Sequence, residues 1–237
     1  MARILLIETA TEVCSAAVAV NGEVTAIVEE PHSPHHAALL TMQVRACSER
    51  SGIPLEALDA VAVSQGPGSY TSLRVGASVA KGICFALDKP LIAINTLLSL
   101  AWASRQYIAD MPNPIFLPML DARRQEVWLA AYDADLREIA PEQPLILEND
   151  LFGKYLTDHF PSLDGAVLVA GGNGSQKLEN VPMPENTVFS PVKNCSARHL
   201  SELAERFFQN AEFQNTAYFE PFYMKAPNIT TSSKALF

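Results

Sequence analysis

A glycine-rich run between a predicted strand and a predicted helix is the segment whose residue types best suit chemistry. It reads QGPGSYTSLRVG and covers residues 65–76. Glycines at such a junction let backbone N–H groups approach an anion, and the N-terminus of the following helix favours negative charge. The run has neither the lysine of a P-loop nor the spacing of a dinucleotide-binding loop. A phosphate cradle and a simple tight turn therefore both remain open.

A histidine pair is the second candidate. His32 and His36 have the H-x-x-x-H spacing, which on a helix places two imidazoles on one face and suits a metal ion. Pro34 lies between them and disfavours a helix through the pair. The sequence favours a polar loop that leads into the first helix, and we expect no metal site.

The side chains that could act as nucleophiles lack the settings that activate them. The four cysteines, Cys14, Cys47, Cys84 and Cys195, form no C-x-x-C pair. Three of them lie among apolar residues, which predicts reduced core thiols of a cytosolic protein. No G-x-S-x-G elbow is present, so a glycoprotease-type peptidase is the least favoured function.

Charged residues are concentrated at the end of a predicted strand in the second half of the chain. They are Asp121, Arg123, Arg124 and Glu126. This cluster suits a contact between lobes or with a partner. It equally suits a set of surface ion pairs, which would add little stability. Both interpretations stay open.

The overall charge excludes one class of function. The chain has 17 basic and 26 acidic residues and a formal net charge of −9. A protein that grips nucleic acid needs a basic surface to displace counterions from phosphates. The chain can still belong to an RNA-modifying pathway, but not as its main RNA-binding subunit. Because no segment approaches the ~20 apolar residues of a membrane helix or resembles a signal peptide, we expect a cytoplasmic protein.

The elements that must position these residues alternate between strands and helices. Asn21-Gly22, between two β-prone runs, predicts a hairpin. The first half has the order β-β-β-α-β-α-β-α, which resembles the ribonuclease-H-like order of the actin and sugar-kinase superfamily. Its predicted strands are 3–8, 14–20, 23–30, 59–64 and 90–95, and its predicted helices are about 35–50, 71–87 and 96–109.

A second, β-rich half follows a proline-containing joint at residues 111–116. Ser196 is expected to cap its last helix. The predicted strands of this half are 115–121, 126–132, about 136–140 and 166–170, and its predicted helices are 150–160 and 196–211.

Four segments, in the same order along the chain, resemble signatures of one family. GPGSYTSLRVG resembles the family's GPGSFTGLRIG, and ILLIETATEVCSAAV near the N-terminus resembles ILAIDTATEACSVAL. Asp121-Ala-Arg123 with Glu126-Val-Trp128 resembles DARRGEVY, and the run from Pro221 to Lys225 resembles P-x-Y-L-R. On these residues the chain is identified as a member of the TsaB (YeaZ) family.

The resemblance implies an α/β fold of two ribonuclease-H-like, actin-like (ASKHA) lobes, each a mixed five-stranded sheet flanked by helices. Residues 1–110 plus 217–237 are expected to form the N-terminal lobe, and residues 111–216 the C-terminal lobe. It also implies a role in making N6-threonylcarbamoyladenosine in tRNA. The chain is expected to bind and activate a TsaD-type transferase, with a TsaE-type ATPase as third partner. It should contact tRNA only through the complex and form a homodimer when alone.

One departure from the paralogous transferase predicts a partner that is not itself catalytic. TsaD carries an H-x-x-x-H metal site on a helix, and the matching positions here are Asn95 and Ser99. The chain is therefore expected to need no cofactor of its own. The resemblance assigns ATP and metal to the partner subunits.

The alternative function is a nucleotide-binding, actin-like enzyme with ATP in the cleft between the lobes. Glu8 stands where the family has aspartate, and Ser72 stands where it has glycine, and both changes weaken an independent ATP site. Gly171 and Gly172 could contact adenine or ribose, or could simply form a turn. The candidate phosphate and nucleotide contacts are Glu8, Thr9, Gly66, Gly68, Ser69, Gly171 and Gly172.

The helix after the glycine run carries small residues that suit close packing. Gly76 and Gly82 lie inside it, and glycine there costs about 1 kcal/mol relative to alanine, so a compensating contact is expected. That contact lies either within the chain or with a partner subunit. The predicted partner interface on the first-lobe helices consists of Leu39, Leu40, Tyr70, Leu73, Arg74, Gly76 and Ala80.

Overall fold

The computed structural model describes residues 2–31, 35–108, 111–148, 150–163 and 165–224. His32 of the predicted histidine pair, Lys225 of the C-terminal motif and the end of the predicted N-terminal lobe (225–237) lie outside these ranges. Within the described ranges, no helix combines the length and the apolar character that crossing a membrane demands.

The N-terminal sheet follows the predicted order of elements. Its strands are β1 (Arg3–Glu8), β2 (Cys14–Val20), β3 (Glu23–Glu30), β4 (Ala60–Gly66) and β5 (Leu91–Asn95), arranged as β3-β2-β1-β4-β5. Helices α1 (His36–Ser51), α2 (Tyr70–Leu87) and α3 (Thr96–Tyr107) follow β3, β4 and β5. Asn21 and Gly22 join β2 and β3 with φ angles of 53° and 81°, as the predicted hairpin requires.

The C-terminal sheet repeats this topology. Its strands are β6 (Pro114–Asp121), β7 (Glu126–Tyr132), β8 (Glu138–Ile146), β9 (Val167–Gly171) and β10 (Thr187–Phe189), arranged as β10-β9-β6-β7-β8. Helix α4 (Leu151–His159) lies between β8 and β9, and α5 (Ser201–Gln209) follows β10. Two mixed five-stranded sheets of the same topology confirm the predicted fold class of two ribonuclease-H-like lobes.

The sequence pattern does not reveal two features of the strands. β10 has only three residues, too few for an alternating pattern to be recognised. β8 continues through Pro141 and Pro144, which argue against a central strand. Proline is tolerated there because β8 lies at the edge of its sheet.

The last helix corrects the predicted lobe boundary at residue 216. The sequence predicted one helix at 196–211 in the C-terminal lobe, but the structure has a 3₁₀ turn (Ala197–Leu200), capped by the Ser196 hydroxyl, and then α5. Leu203 and Ala204 of α5 pack against Ile4 and Leu6 on one face of the N-terminal sheet. Helices α1 and α2 cover only the other face, so this amphipathic segment completes the N-terminal core.

Helix α3 joins the two lobes. Leu97 and Leu100 are fully buried in a cluster with Phe116 of β6 and Val169 of β9. Trp102 of the same helix also packs against the core of the N-terminal sheet. The lobes therefore share a helix whose side chains belong to both cores.

Two glycines of α2 lie on different faces of that helix, one buried and one exposed. A Cβ atom on Gly76 would collide with the hydroxyl of Thr9, in the loop after β1. Gly82 is exposed, and a Cβ atom there would meet nothing within 4 Å. The compensating contact expected of Gly76 is thus made within the chain.

These glycines provide a matched pair of alanine variants. Gly76→Ala should lower the free energy of unfolding by about 1–3 kcal/mol, because the added methyl group would overlap the hydroxyl of Thr9, which is fully buried. Gly82→Ala should raise it by up to about 1 kcal/mol, since alanine is the better helix former. Urea unfolding of both variants measures the difference. Equal effects would show that the contact with Thr9 does not constrain α2.

Candidate functional site

The outer face of α2 forms an open groove with the start of α1. The groove has a volume of about 480 Å³ and is lined by Ala37, Tyr70, Thr71, Arg74, Val75, Ser78 and Val79. Helical spacing continues this face to Gly82 and to Phe85, a residue that is 88% exposed. A continuous exposed face of small and apolar side chains is typical of a protein interface. We call it the outer α2 face.

An aromatic cluster holds one arginine at the N-terminal end of this face. The guanidinium carbon of Arg74 lies 4.3 Å from the centre of the Tyr70 ring and 5.9 Å from that of Tyr223. Arg74 Nε donates a hydrogen bond to the Tyr223 hydroxyl at 3.2 Å. The two rings lie 4.6 Å apart, so Arg74 is oriented by cation–π contacts and one hydrogen bond. Tyrosine and arginine are the residue types most often found at the energetic centre of interfaces.

The C-terminal segment brings Tyr223 to this cluster. Lys81 Nζ of α2 donates to the carbonyl oxygens of Ala217 and Phe219 at 3.3 and 2.9 Å. The N–H of Phe222 donates to the carbonyl oxygen of Gln65 at 2.7 Å. The segment is therefore fastened along α2. The motif of this segment can be recognised in the sequence, but the contact between Tyr223 and Arg74 cannot be predicted from it.

The predicted interface residues separate into two groups. Tyr70, Arg74 and Leu39 are partly or fully exposed, and their role in a partner interface stays a prediction. Four others are buried inside the N-terminal lobe, namely Leu40, Leu73, Gly76 and Ala80. They offer no surface to a partner, because the side of each helix that carries them packs inward, over the sheet and the loop after β1. On the exposed side of α2 lie instead Val75, Ser78, Val79 and Phe85.

The glycine-rich run folds as a closed turn. A Cβ atom on Gly68 would lie 2.5 Å from the carbonyl oxygen of Ala10, and one on Gly66 would collide with the carbonyl of Phe222. The backbone N–H of Ser69, at the start of α2, donates to the Ala10 carbonyl at 2.7 Å. The hydroxyl of Ser72, the residue that departs from the family pattern, lies 3.0 Å from that of Ser69. The glycines therefore admit neighbouring protein atoms, which favours the tight turn over the phosphate cradle.

The acidic residue after β1 points into the protein. Glu8 and Thr9 are fully buried. Glu8 Oε1 accepts a hydrogen bond from the N–H of Ala10 at 2.6 Å, while Oε2 has no partner among the described residues. Burial raises the pKa of the Glu8 carboxyl to about 7. A carboxyl in this position is partly neutral near neutral pH and is poorly suited to hold a metal–phosphate group.

The second glycine pair serves packing between β9, β6 and α3. A Cβ atom on Gly171 would lie 2.6 Å from the hydroxyl of Ser104 in α3. Gly172 has a φ angle of 84°, and a Cβ atom there would collide with the carbonyl of Met119. Both positions are buried. This geometry favours the structural turn, and nucleotide contact by either residue stays a prediction of the alternative function.

Asn95 and Ser99, which match the histidine positions of the transferase, stabilise the local structure. Asn95 Oδ1 accepts from the N–H groups of Leu97 and Leu98 and so caps α3. Asn95 Nδ2 donates to Glu142 Oε2 of β8 at 2.6 Å. Ser99 is fully buried and donates to the carbonyl oxygen of Thr96.

The cysteines lie in surroundings that suppress thiolate chemistry. All four are buried and unpaired. Burial raises the pKa of the Cys14, Cys47 and Cys84 thiols to about 11, and that of Cys195 well above its ordinary value. A nucleophilic cysteine needs the opposite shift.

The predicted charge cluster lies on an exposed loop between β6 and β7. Asp121 forms an ion pair with Lys177 at 2.7 Å. Arg123 and Arg124 are exposed. Asp121 and the backbone of the loop are bonded to Asn173 and Lys177 of the same lobe, which favours the surface interpretation for Asp121. A role of the cluster in a partner contact stays a prediction.

Comparisons with known proteins agree over both lobes. The family model described as "TsaD: tRNA N6-adenosine threonylcarbamoyltransferase" matches residues 19–235. The chain is 36% identical over 127 residues to the tRNA threonylcarbamoyladenosine biosynthesis protein TsaB of Haemophilus influenzae, covering 54% of this chain and 52% of that protein. It is 37% identical over 134 residues to the protein of the same name from Escherichia coli, covering 56% of each. The chain thus spans about half the length of the curated relatives it matches.

A solved structure resembles the whole described fold. It is a Pseudomonas aeruginosa protein described as uncharacterized and similar to peptidase YEAZ. The TM-score is 0.81 at 26% sequence identity, and the match covers 95% of this chain and 100% of that one.

The buried Glu8 carboxyl should make stability depend on pH. Its folded pKa of about 7 lies above the ordinary value of 4.5. Between these pH values the folded state binds more protons than the unfolded state, so stability should fall as pH rises. Relative to Glu8→Gln, the wild type should lose about 3 kcal/mol of unfolding free energy between pH 4.5 and pH 7.5. Urea unfolding of both proteins across this range tests the shift, and a pH-independent difference between them would contradict it.

Proposed function

Since this chain belongs to the TsaB (YeaZ) family, within the wider family of TsaD-type proteins, we propose that it is a component of the machinery that makes N6-threonylcarbamoyladenosine in tRNA. In this proposal the chain binds and activates a TsaD-type transferase. The observation that carries the proposal is the outer α2 face, an apolar surface that no described part of the chain covers.

The chemistry of this face suits a helical partner. Ser78 has a small side chain and Gly82 has none, so the middle of the face leaves room for another helix to approach closely. Phe85 at one end offers a large apolar side chain, and Arg74 at the other is already oriented by its two tyrosines. Pre-oriented aromatic and arginine side chains lose little entropy on binding. When the transferase is absent, the same face would pair with a second copy of the chain.

The interior supports a role without catalysis. Glu8 is turned inward, Asn95 and Ser99 stabilise α3, and the cysteine thiols are held in their neutral form. We therefore assign ATP and metal chemistry to the partner subunits, a TsaD-type transferase and a TsaE-type ATPase. The assembly is proposed to act on tRNA in the cytoplasm.

Reconstitution tests the proposed role directly. The transferase, the ATPase, threonylcarbamoyl adenylate and an unmodified tRNA transcript are combined with and without this chain. Modified adenosine should form roughly tenfold faster, or more, when the chain is present. Equal rates would rule out the proposal. Saturable micromolar binding of ATP–Mg by the isolated chain would instead favour the alternative nucleotide-binding function.

A substitution on the outer α2 face tests where the partner binds. Phe85→Asp should weaken binding to the transferase by about tenfold or more, because it places a charge in an apolar interface. Ile139→Asp is the matched control, since Ile139 is also an exposed large apolar residue but lies on β8. Both variants should unfold at the wild-type temperature. Calorimetric titration that found equal affinities for the two variants would exclude this face as the interface.

A further inference from the structure

The loop between β6 and β7 holds two adjacent arginines in a backbone conformation that arginine seldom adopts. Arg123 and Arg124 have φ angles of 69° and 49°. A positive φ crowds Cβ against the backbone, so glycine and asparagine are the usual residues there. Non-glycine residues at positive φ also occur in ordinary turns of this chain, for example Leu136 and Ala211, but residues held in costly backbone conformations cluster at binding and active sites. Two consecutive arginines in this unfavourable conformation therefore suggest that their side chains have a function.

Hydrogen bonds from both sides hold the loop in this conformation. Asp121 Oδ1 accepts from the backbone N–H of Arg123 at 2.6 Å and from Lys177 Nζ at 2.7 Å. Lys177 also donates to the carbonyl oxygen of Glu126 at 2.9 Å. The N–H of Asp121 donates to Asn173 Oδ1 at 2.9 Å. The loop is thus fixed to both of its strands and to the turn after β9.

The same contacts leave both guanidinium groups available. Asp121 is paired with Lys177, whose side chain is only 16% exposed. Across the described residues, no ion pair or side-chain hydrogen bond joins Arg123 or Arg124 to another residue, and both are exposed. The loop is therefore a rigid, positively charged point on a chain whose formal net charge is −9.

We propose that Arg123 and Arg124 form a contact site for the phosphates of an RNA backbone and that, in the assembled complex, they touch the tRNA. The inference rests on the proposed function, which supplies the RNA. A guanidinium group binds phosphate through two parallel N–H···O bonds, and a rigid loop keeps that geometry. Phosphate contacts position a nucleic acid without reading its sequence. An acidic subunit can add such a contact beside a partner that binds the RNA more extensively, in place of the purely indirect contact that the sequence predicted.

Three variants of the full chain, each assembled with the transferase, separate charge from loop structure. R123N/R124N removes both charges and keeps a residue type that tolerates positive φ. R123K/R124K keeps the charges without the planar fork. Arg137→Asn is the matched control, because Arg137 is an exposed arginine at the next turn of the same lobe and pairs with Asp135 at 3.4 Å.

Fluorescence anisotropy with an unmodified tRNA transcript, from about 50 to 200 mM salt, measures the contact. The asparagine pair should bind roughly tenfold more weakly at low salt. Its slope of log affinity against log salt should be smaller by about 1 to 2, because each phosphate contact contributes about 0.7–0.9. The lysine pair should keep most of the slope, and the control should match the wild type. The asparagine pair should also unfold at or above the wild-type temperature, since the strained residues are replaced.

The outcomes distinguish this site from the proposed function. Wild-type affinity and slope for the asparagine pair, in a complex that still assembles on size-exclusion chromatography, would overturn the RNA site and leave the proposed function intact. Loss of assembly by the asparagine pair would also overturn it, by showing that the arginines contact a protein. Failure of the wild-type chain to assemble with the transferase or to stimulate it would overturn both.

Discussion

The N-terminal lobe depends on one close approach, in which the loop after β1 lies directly against the start of α2. Gly68 and Gly76 make the space, since a Cβ atom on either would meet Ala10 or Thr9. The carbonyl of Ala10 then accepts the N–H of Ser69, one of the donors that a helix N-terminus otherwise leaves unpaired. With its inner side committed to this loop and to the sheet, α2 must present its opposite side to the outside.

This approach also gives the glycine-rich run a structural role as a closed turn. The helix N–H that could bind a phosphate is occupied by a carbonyl, and the glycine positions are filled by protein atoms. Glu8, at the end of β1, is fully buried with no cationic partner among the described residues, and burial therefore favours the neutral form of its carboxyl. The strand–turn–helix unit keeps its shape, while its available surface lies on the outer α2 face.

The sequence predicted what local pattern determines. The Asn21-Gly22 hairpin, the order of elements and the cap at Ser196 all rest on short-range chemistry. The prediction of which residues of α2 are exposed was wrong in part. The sequence alone cannot distinguish the buried Gly76 from the exposed Gly82, because only the fold shows that the loop after β1 packs against Gly76. It also could not find the contact between Arg74 and Tyr223, which are separated by 149 positions. The assignment of α5 to the other lobe failed for the same reason, since its apolar face suits either sheet.

The outer α2 face and the β6–β7 loop lie on different lobes, and helix α3 packs against both lobes. Leu97 and Leu100 of α3 are buried in the core of the C-terminal lobe, while Trp102 packs against the N-terminal sheet. A helix shared by two cores resists rotation of one lobe against the other, because rotation would expose apolar surface on both sides. A partner bound to the outer α2 face would therefore also fix the direction in which the β6–β7 loop points. An apolar surface would provide the affinity, and a distant pair of charges would be held in a defined place relative to that partner.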